Sequence, residues 1–206
     1  GIATAVYLEE YAGGSRLTRL VDVNIRNLAG VPAIVYGLLG FAPFVDGPFT
    51  GFTGGTTLLS TGLTLSILVL PIVVITSAAA IRAVPSALRE GGYGVGATRW
   101  EVTLTLVLPY AMGGMLTGTI LGLARALGEA APLFFMGAKT SIFSGGAWGD
   151  LRGDFTALPM IISDWATRPA AKWNGNTQAA ILVTLVLVLG INTVGIVLRN
   201  HFDKKR

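Results

Sequence analysis

Long uncharged stretches alternate with short polar ones along this chain. Residues 27–45, 47–81, 102–124 and 173–198 carry no charged side chain, and are bounded by Arg26, Asp46, Arg82, Glu101, Arg125, Lys172 and Arg199. A helix rises about 1.5 Å per residue, so about 20 apolar residues cover a hydrocarbon layer of about 30 Å. Each run is therefore a candidate membrane span. The Gly- and Thr-rich start of the second run, Gly47 to Gly55, reads as a loop, which leaves a span from about Thr57 to Ile81. In the first run Gly30, Pro32, Gly37, Gly40 and Pro43 predict a bent or interrupted helix. Residues 1–8 are too short to cross and read as the tail of a first span, in a chain lacking its N-terminal start.

Composition agrees with this pattern. The 206 residues are 52% hydrophobic and 13% charged, with a mean hydropathy of +0.66, far too apolar for a soluble domain of this size. There is no Cys, so disulfides and thiolate metal sites are excluded, and the lone His201 cannot build a metal site by itself. Neither a Ser/His/Asp set nor paired carboxylates nor a Walker-type phosphate loop is present, so no catalytic residue is assigned. The net charge of +4 does not point to nucleic acid, because the basic residues sit at the ends of apolar runs.

That placement orients the spans. Arg16, Arg19, Arg26, Arg82, Arg89, Arg99, Arg199, Lys204, Lys205 and Arg206 fall on one side; Lys139, Arg152, Arg168 and Lys172 fall on the other. Cytoplasmic loops carry the Lys/Arg excess, so residues 82–101 and the C-terminus are expected in the cytoplasm, and residues 133–172 outside. Trp148, Trp165 and Trp173 with Phe134, Phe135 and Phe143 predict short surface helices in that outer loop.

Three polar features stand out. Between Glu90 and Pro109 a charged, glycine-containing passage separates two spans. Pro85 or Ser86 can open a short helix that holds Arg89 and Glu90, and Gly94 and Gly96 turn it toward the next. Such a surface helix fits a groove on a partner domain, against the plainer reading of an ordinary loop. Arg125 and Glu129, four apart, can pair on one helix face. They are either a structural ion pair or, since ionisable groups at membrane depth are costly, part of a solute path in which Arg125 offers its donor fork to an anion. Tyr7 to Tyr11, Y-L-E-E-Y, followed by Gly13 and Gly14, marks the end of one helix and the start of an amphipathic one, or more plainly a solvated turn between spans, which is the reading preferred. Gly113, Gly114, Gly118 and Gly122 suit close helix packing, Asn192 a hydrogen bond between helices, and the Arg199 to Arg206 tail an anchor to anionic lipid.

Glu90, Gly96, Leu106, Leu108 and Pro109 match the spacing of the E-A-A motif of type I ABC-importer permeases, so the stretch resembles that motif, with Gly91 and Gly92 in place of its alanines. R-A-L-G-E-A-A-P-L from Arg125 resembles the R-A-x-G-E-T-A-P-L signature of the PstA-type subunit of bacterial phosphate importers, with Ala130 for Thr. Y-L-E-E-Y-A, N-L-A-G-V-P-A-I-V-Y-G-L from Asn27 and L-V-L-P-I-V from Leu68 resemble segments of the same family in the same order.

The resemblance implies an all-α polytopic membrane helical bundle of the MetI-like permease class, one domain over residues 1–206 with a coupling loop at 82–101. It implies a multi-pass protein of the bacterial inner membrane forming half of an alternating-access path for phosphate. The implied partners are a PstC-type permease, two PstB-type ATP-binding subunits and an extracytoplasmic PstS-type binding protein. ATP and Mg would be bound by the ATPase, with no cofactor and no enzymatic activity in this chain. Arg89, Glu90, Gly94, Gly96 and Pro109 would serve ATPase coupling; Arg125 and Glu129 the substrate path. The same architecture importing molybdate or sulfate, or a membrane sensor or scaffold that moves no solute, remains the alternative. Gly91 and Gly92 are expected to loosen the coupling helix by about 1 kcal/mol each relative to alanine.

Overall fold

The computed structural model describes residues 1–139, 149–169 and 172–203. Among them the regular elements are helical, apart from one parallel bridge between Lys139 and Thr156. The helices are α1 (Ile2–Val6), α2 (Arg16–Ala29), α3 (Ala33–Phe44), α4 (Thr50–Thr53), α5 (Leu58–Arg82), α6 (Ser86–Gly94), α7 (Arg99–Val102), α8 (Leu108–Gly128), α9 (Ala131–Phe135), α10 (Leu158–Thr167) and α11 (Lys172–Asp203). Two π-helical turns, Tyr7–Tyr11 and Thr103–Val107, continue α1 and join α7 to α8. Leu58–Arg82, Arg99–Gly128 and Trp173–Val197 are long and apolar enough to cross a membrane; α2 with α3 makes a fourth if that broken pair is one span.

The first uncharged run is interrupted, as its glycines and prolines predict. Its interruption falls at the start, where Gly30 caps α2 and Pro32 opens α3. Pro32 has no N–H to continue α2, and its ring drives Val31 out of the helical region. What remains, α3, has 12 residues, about 18 Å at 1.5 Å each, too short to cross alone. Gly37 and Gly40 do not bend it. A Cβ on Gly37 would stand 2.9 Å from Pro132 Cα, and one on Gly40 would collide with Thr64, so both glycines admit neighbouring elements. Residues 47–55 hold the short α4, which Gly54 ends at φ 81°, in the left-handed region. Thr53 Oγ1 donates to the Phe44 carbonyl and secures it.

Two compact units make up the described chain. One comprises residues 1–30, 70–123 and those from Ile191 onward. Its core is Ala5, Ile25, Val74, Ala78, Ile81, Val84, Val102, Val107, Ala111 and Met115. The glycine spacing on α8 works here as expected: a Cβ on Gly114 would stand 2.6 Å from Ala80 Cβ, and one on Gly118 would overlap Thr76. Asn192 does not meet its expectation, because its Oδ1 is buried without a hydrogen-bond partner among the described residues.

The other unit comprises the described residues of 31–69 and 124–190. Leu133, Met136, Phe155 and Met160 form its core, flanked by Phe41, Val45 and Leu65. Within the loop of residues 133–172 lie the end of α9 and all of α10; these helices are short as expected, but Leu133 and Met160 are buried in this core. Leu59 N–H donates to the Leu151 carbonyl at 2.8 Å, tying that loop to the start of α5. The Trp165 and Trp173 rings lie 5.5 Å apart, and the Arg168 guanidinium stands 4.5 Å from the Trp173 ring. Phe143 and Trp148 fall outside the described residues.

Candidate functional site

The stretch from Glu90 to Pro109 folds as helix, turn, helix. Pro85 caps α6, which needs no donor at that end, and α6 ends at Gly94. The turn itself is made by Gly96 at φ 85°, where a side chain would be strained. Gly94 is not part of it: it keeps an ordinary φ as the last helical residue, in open space. Thr98 and Glu101 then form a capping box, with the Thr98 hydroxyl accepting from Glu101 N–H and Glu101 Oε2 accepting from Thr98 N–H at 2.7 Å. The π turn follows immediately. Pro109 has no N–H for an α-helical bond, and the preceding turn widens so that Leu108 N–H reaches back five residues to the Thr103 carbonyl.

The two ends of the stretch close on each other. A Cβ on Gly92 would lie 2.7 Å from Val102 Cγ2 and 2.9 Å from Leu106 Cδ1, whereas Gly91 has open space. The two glycines therefore differ: Gly91 lowers helix propensity with no packing return, and Gly92 is what lets α6 lie against Val102 and Leu106.

Arg89 and Glu90, adjacent in sequence, face different surroundings. Glu90 is exposed with Leu88, Tyr93, Val95 and Trp100, a surface on and just beyond α6 with an acid among apolar side chains. Arg89 turns inward. Its Nη1 donates to the Val84 carbonyl at 2.7 Å, its Nη2 to the Ile81 carbonyl at 2.9 Å and to Glu10 Oε1 at 2.8 Å, and its Nε also reaches Glu10 Oε1, at 3.2 Å. The Ile81 carbonyl lies in the last turn of α5 and that of Val84 just beyond it, and Ile81, which would ordinarily receive the N–H of residue 85, a proline, accepts instead from Val84 N–H at 3.2 Å. Glu10 is 5% exposed. The Tyr7–Tyr11 segment is thus no solvated turn but a wall of this site. Glu10 is the residue that sequence reasoning missed; the available signal was an acid at the end of one apolar run and a basic residue beyond another.

In the other unit, Arg125 Nε donates to Glu129 Oε1 at 3.2 Å, with the Arg125 side chain 40% exposed and that of Glu129 19%. The expected pair forms although α8 ends at Gly128, one residue short of Glu129. Pro132 opens α9 against Gly37 of α3, which fixes the backbone just beyond the pair. An apolar cavity of about 250 Å³ lies on the same unit, lined by Leu58, Leu65, Ala126, Leu133, Phe155 and Leu187 among others; neither Arg125 nor Glu129 lines it. Among the described residues no cluster of three or more His, Cys, Asp or Glu could hold a metal ion.

Long apolar helices, a broken helix pair and a capped helix–turn–helix between two spans define a polytopic helical membrane component. The chain belongs to the family of binding-protein-dependent transport system inner membrane components, whose sequence profile matches residues 1–206. It is similar to the phosphate transport system permease protein PstA 1 of Mycobacterium tuberculosis (strain CDC 1551 / Oshkosh), 34% identical over all of this chain and 65% of that protein. It is also similar to PstA of Xylella fastidiosa (strain 9a5c), 31% identical over all of this chain and 69% of that protein. The chain thus spans just under two thirds of the length of the mycobacterial relative. Among solved structures, the inward-facing MetNI methionine ABC transporter shares the fold, with a TM-score of 0.74 at 19% identity over 98% of this chain and 85% of that one.

Proposed function

We propose that this chain is the PstA-type half of an ATP-driven phosphate permease, in which ATP hydrolysis by a separate subunit alternates the access of a path shared with a PstC-type partner. The observation that carries the reading is the match along the whole chain to proteins named as phosphate transport permeases. On this reading α6, with exposed Glu90 between Leu88 and Tyr93, is the coupling helix in a groove of a PstB-type ATP-binding subunit on the cytoplasmic side. Pro85, Gly96 and the capping box at Thr98 hold it between the ends of α5 and α8. Arg89 holds the helix from its inner face and does not touch the partner.

Phosphate would be handed over by a PstS-type binding protein on the outer side. Arg125 remains substantially exposed while paired, and Glu129 restrains the guanidinium and offsets part of its charge. A passing oxyanion would compete with Glu129 for the donor fork, so it is held without being trapped. ATP and Mg belong to the partner subunit, and this chain contributes movement and path.

The test is reconstitution of the gently extracted complex in vesicles, with ATP inside the compartment that faces α6 and labelled phosphate, sulfate or molybdate with the binding protein on the other side. ATP-dependent accumulation of phosphate is expected. Transport of sulfate or molybdate with phosphate inert would replace the substrate, and a complex that moves none of them would leave the sensor or scaffold reading.

A further inference from the structure

Three consecutive residues of the π turn that ends α1 each grip a different part of the α5-to-α8 connection. Glu9 Oε1 lies 3.5 Å from Arg82 Nη1 at the end of α5. Glu10 holds Arg89 of α6 through Nε and Nη2. Tyr11 donates its hydroxyl to Thr103 Oγ1 at 3.5 Å, in the π turn before α8, and the Arg99 guanidinium stands 5.6 Å from its ring. An α turn sets successive side chains about 100° apart; the wider π turn sets them somewhat closer, so these three spread over less of the circumference while reaching different parts of the connection.

The three grips are unequal. Arg82 is 48% exposed, so its pair with Glu9 is screened by solvent, and the Tyr11 contact is long. The Glu10 side chain is 6% exposed and that of Arg89 22%, and Arg89 is oriented by the Ile81 and Val84 carbonyls as well. A guanidinium held by two fixed carbonyls and a buried carboxylate cannot follow α6 without carrying Glu10 along.

We propose that the Tyr7–Tyr11 turn is a latch that makes α1 a third receiver of coupling-helix movement, beside the two spans to which α6 is joined covalently, with Glu10 as its positioning residue. The inference rests on the reading of α6 as the coupling helix. Displacement of α6 then reaches α1 through Arg89 and Glu10, and α1 is packed into the core of that unit through Ala5, which is fully buried.

The test is backbone hydrogen exchange on the whole complex, without nucleotide and with ATP under conditions that block hydrolysis, alongside uptake per ATP hydrolysed. In the unaltered complex both 86–94 and 7–12 are expected to change protection with nucleotide. In Glu10→Gln the response at 86–94 should persist, that at 7–12 should vanish, and uptake per ATP should fall about fivefold or more. A response at 7–12 that survives Glu10→Gln overturns the latch while leaving the coupling helix intact. No response at 86–94 in the unaltered complex overturns the coupling reading itself, and the latch with it. Should Glu10→Gln fail to assemble, Glu10→Asp keeps the charge and draws the carboxylate back from Arg89 by one methylene: a reduced response at 7–12 with that at 86–94 kept supports the latch, and an undiminished one overturns it.

Discussion

Gly92 and Val102 are so close that a single methyl group on Gly92 would stand 2.7 Å from Val102 Cγ2. Val102 is fully buried and cannot swing away. Gly92→Ala is therefore expected to destabilise the detergent-extracted protein by about 1–3 kcal/mol through overpacking. Gly91→Ala, in open space one residue earlier, should stabilise it by about 0.5–1 kcal/mol. Thermal unfolding of the pair checks both signs, and equal effects would contradict the packing seen between α6 and the segment before α8.

Gly96 and Gly94 divide in the same way by backbone angle. Gly96→Ala forces a side chain into φ 85° and should cost about 1–2 kcal/mol, with weaker co-purification of the ATP-binding subunit as the turn distorts. Gly94→Ala should leave co-purification unchanged. The measurement is the yield of ATPase retained on the tagged permease.

Removing Glu10 leaves a largely buried guanidinium with the Ile81 and Val84 carbonyls but without its carboxylate partner. Glu10→Ala is expected to lower stability by about 3–5 kcal/mol, whereas Glu9→Ala, whose partner Arg82 is half exposed, should cost less than about 1 kcal/mol. Chemical unfolding of the two variants side by side distinguishes a buried pair from a solvated one.

Arg125 and Glu129 form a partly exposed pair, so Arg125→Ala should change stability by less than about 1 kcal/mol. Phosphate uptake should nonetheless fall by at least about tenfold, the loss of about 1.4 kcal/mol expected for one charged hydrogen bond. Arg125→Lys keeps charge without the planar fork and should recover only part of it. Uptake at unaltered level in both variants, with the complex intact, would reduce the pair to a structural role.

The spans were legible because charge is so costly in lipid that uncharged runs mark them directly, and Leu58–Arg82 and Arg99–Gly128 lie close to where that pattern put them. The break in the first run was legible but its position was not, because two prolines and three glycines all signal bending, and only the packing of Gly37 on Pro132 and of Gly40 on Thr64 separates a kink from a close approach. The start of α6 was readable from Pro85 and Ser86, since caps are local, but its end at Gly94 comes a turn before the position near residue 98 that the family resemblance implied. The partners of Arg89 were not: Glu10 is 79 residues away, and no periodicity reports a contact that depends on how two turns meet. Arg125 with Glu129 was the opposite case, four residues apart and paired through local geometry alone.

The two π turns, Tyr7–Tyr11 and Thr103–Val107, are underwound segments that meet at Tyr11 and Thr103. Such a turn holds one residue more than an α turn. Rewinding either one to α geometry would rotate the helix beyond it by about 100° and shift it by about 1.5 Å along its axis. The contact between the Tyr11 and Thr103 hydroxyls is long, so it resists such a rotation only weakly, whereas Pro109 disfavours rewinding of the second turn by withholding one N–H that the α form would use.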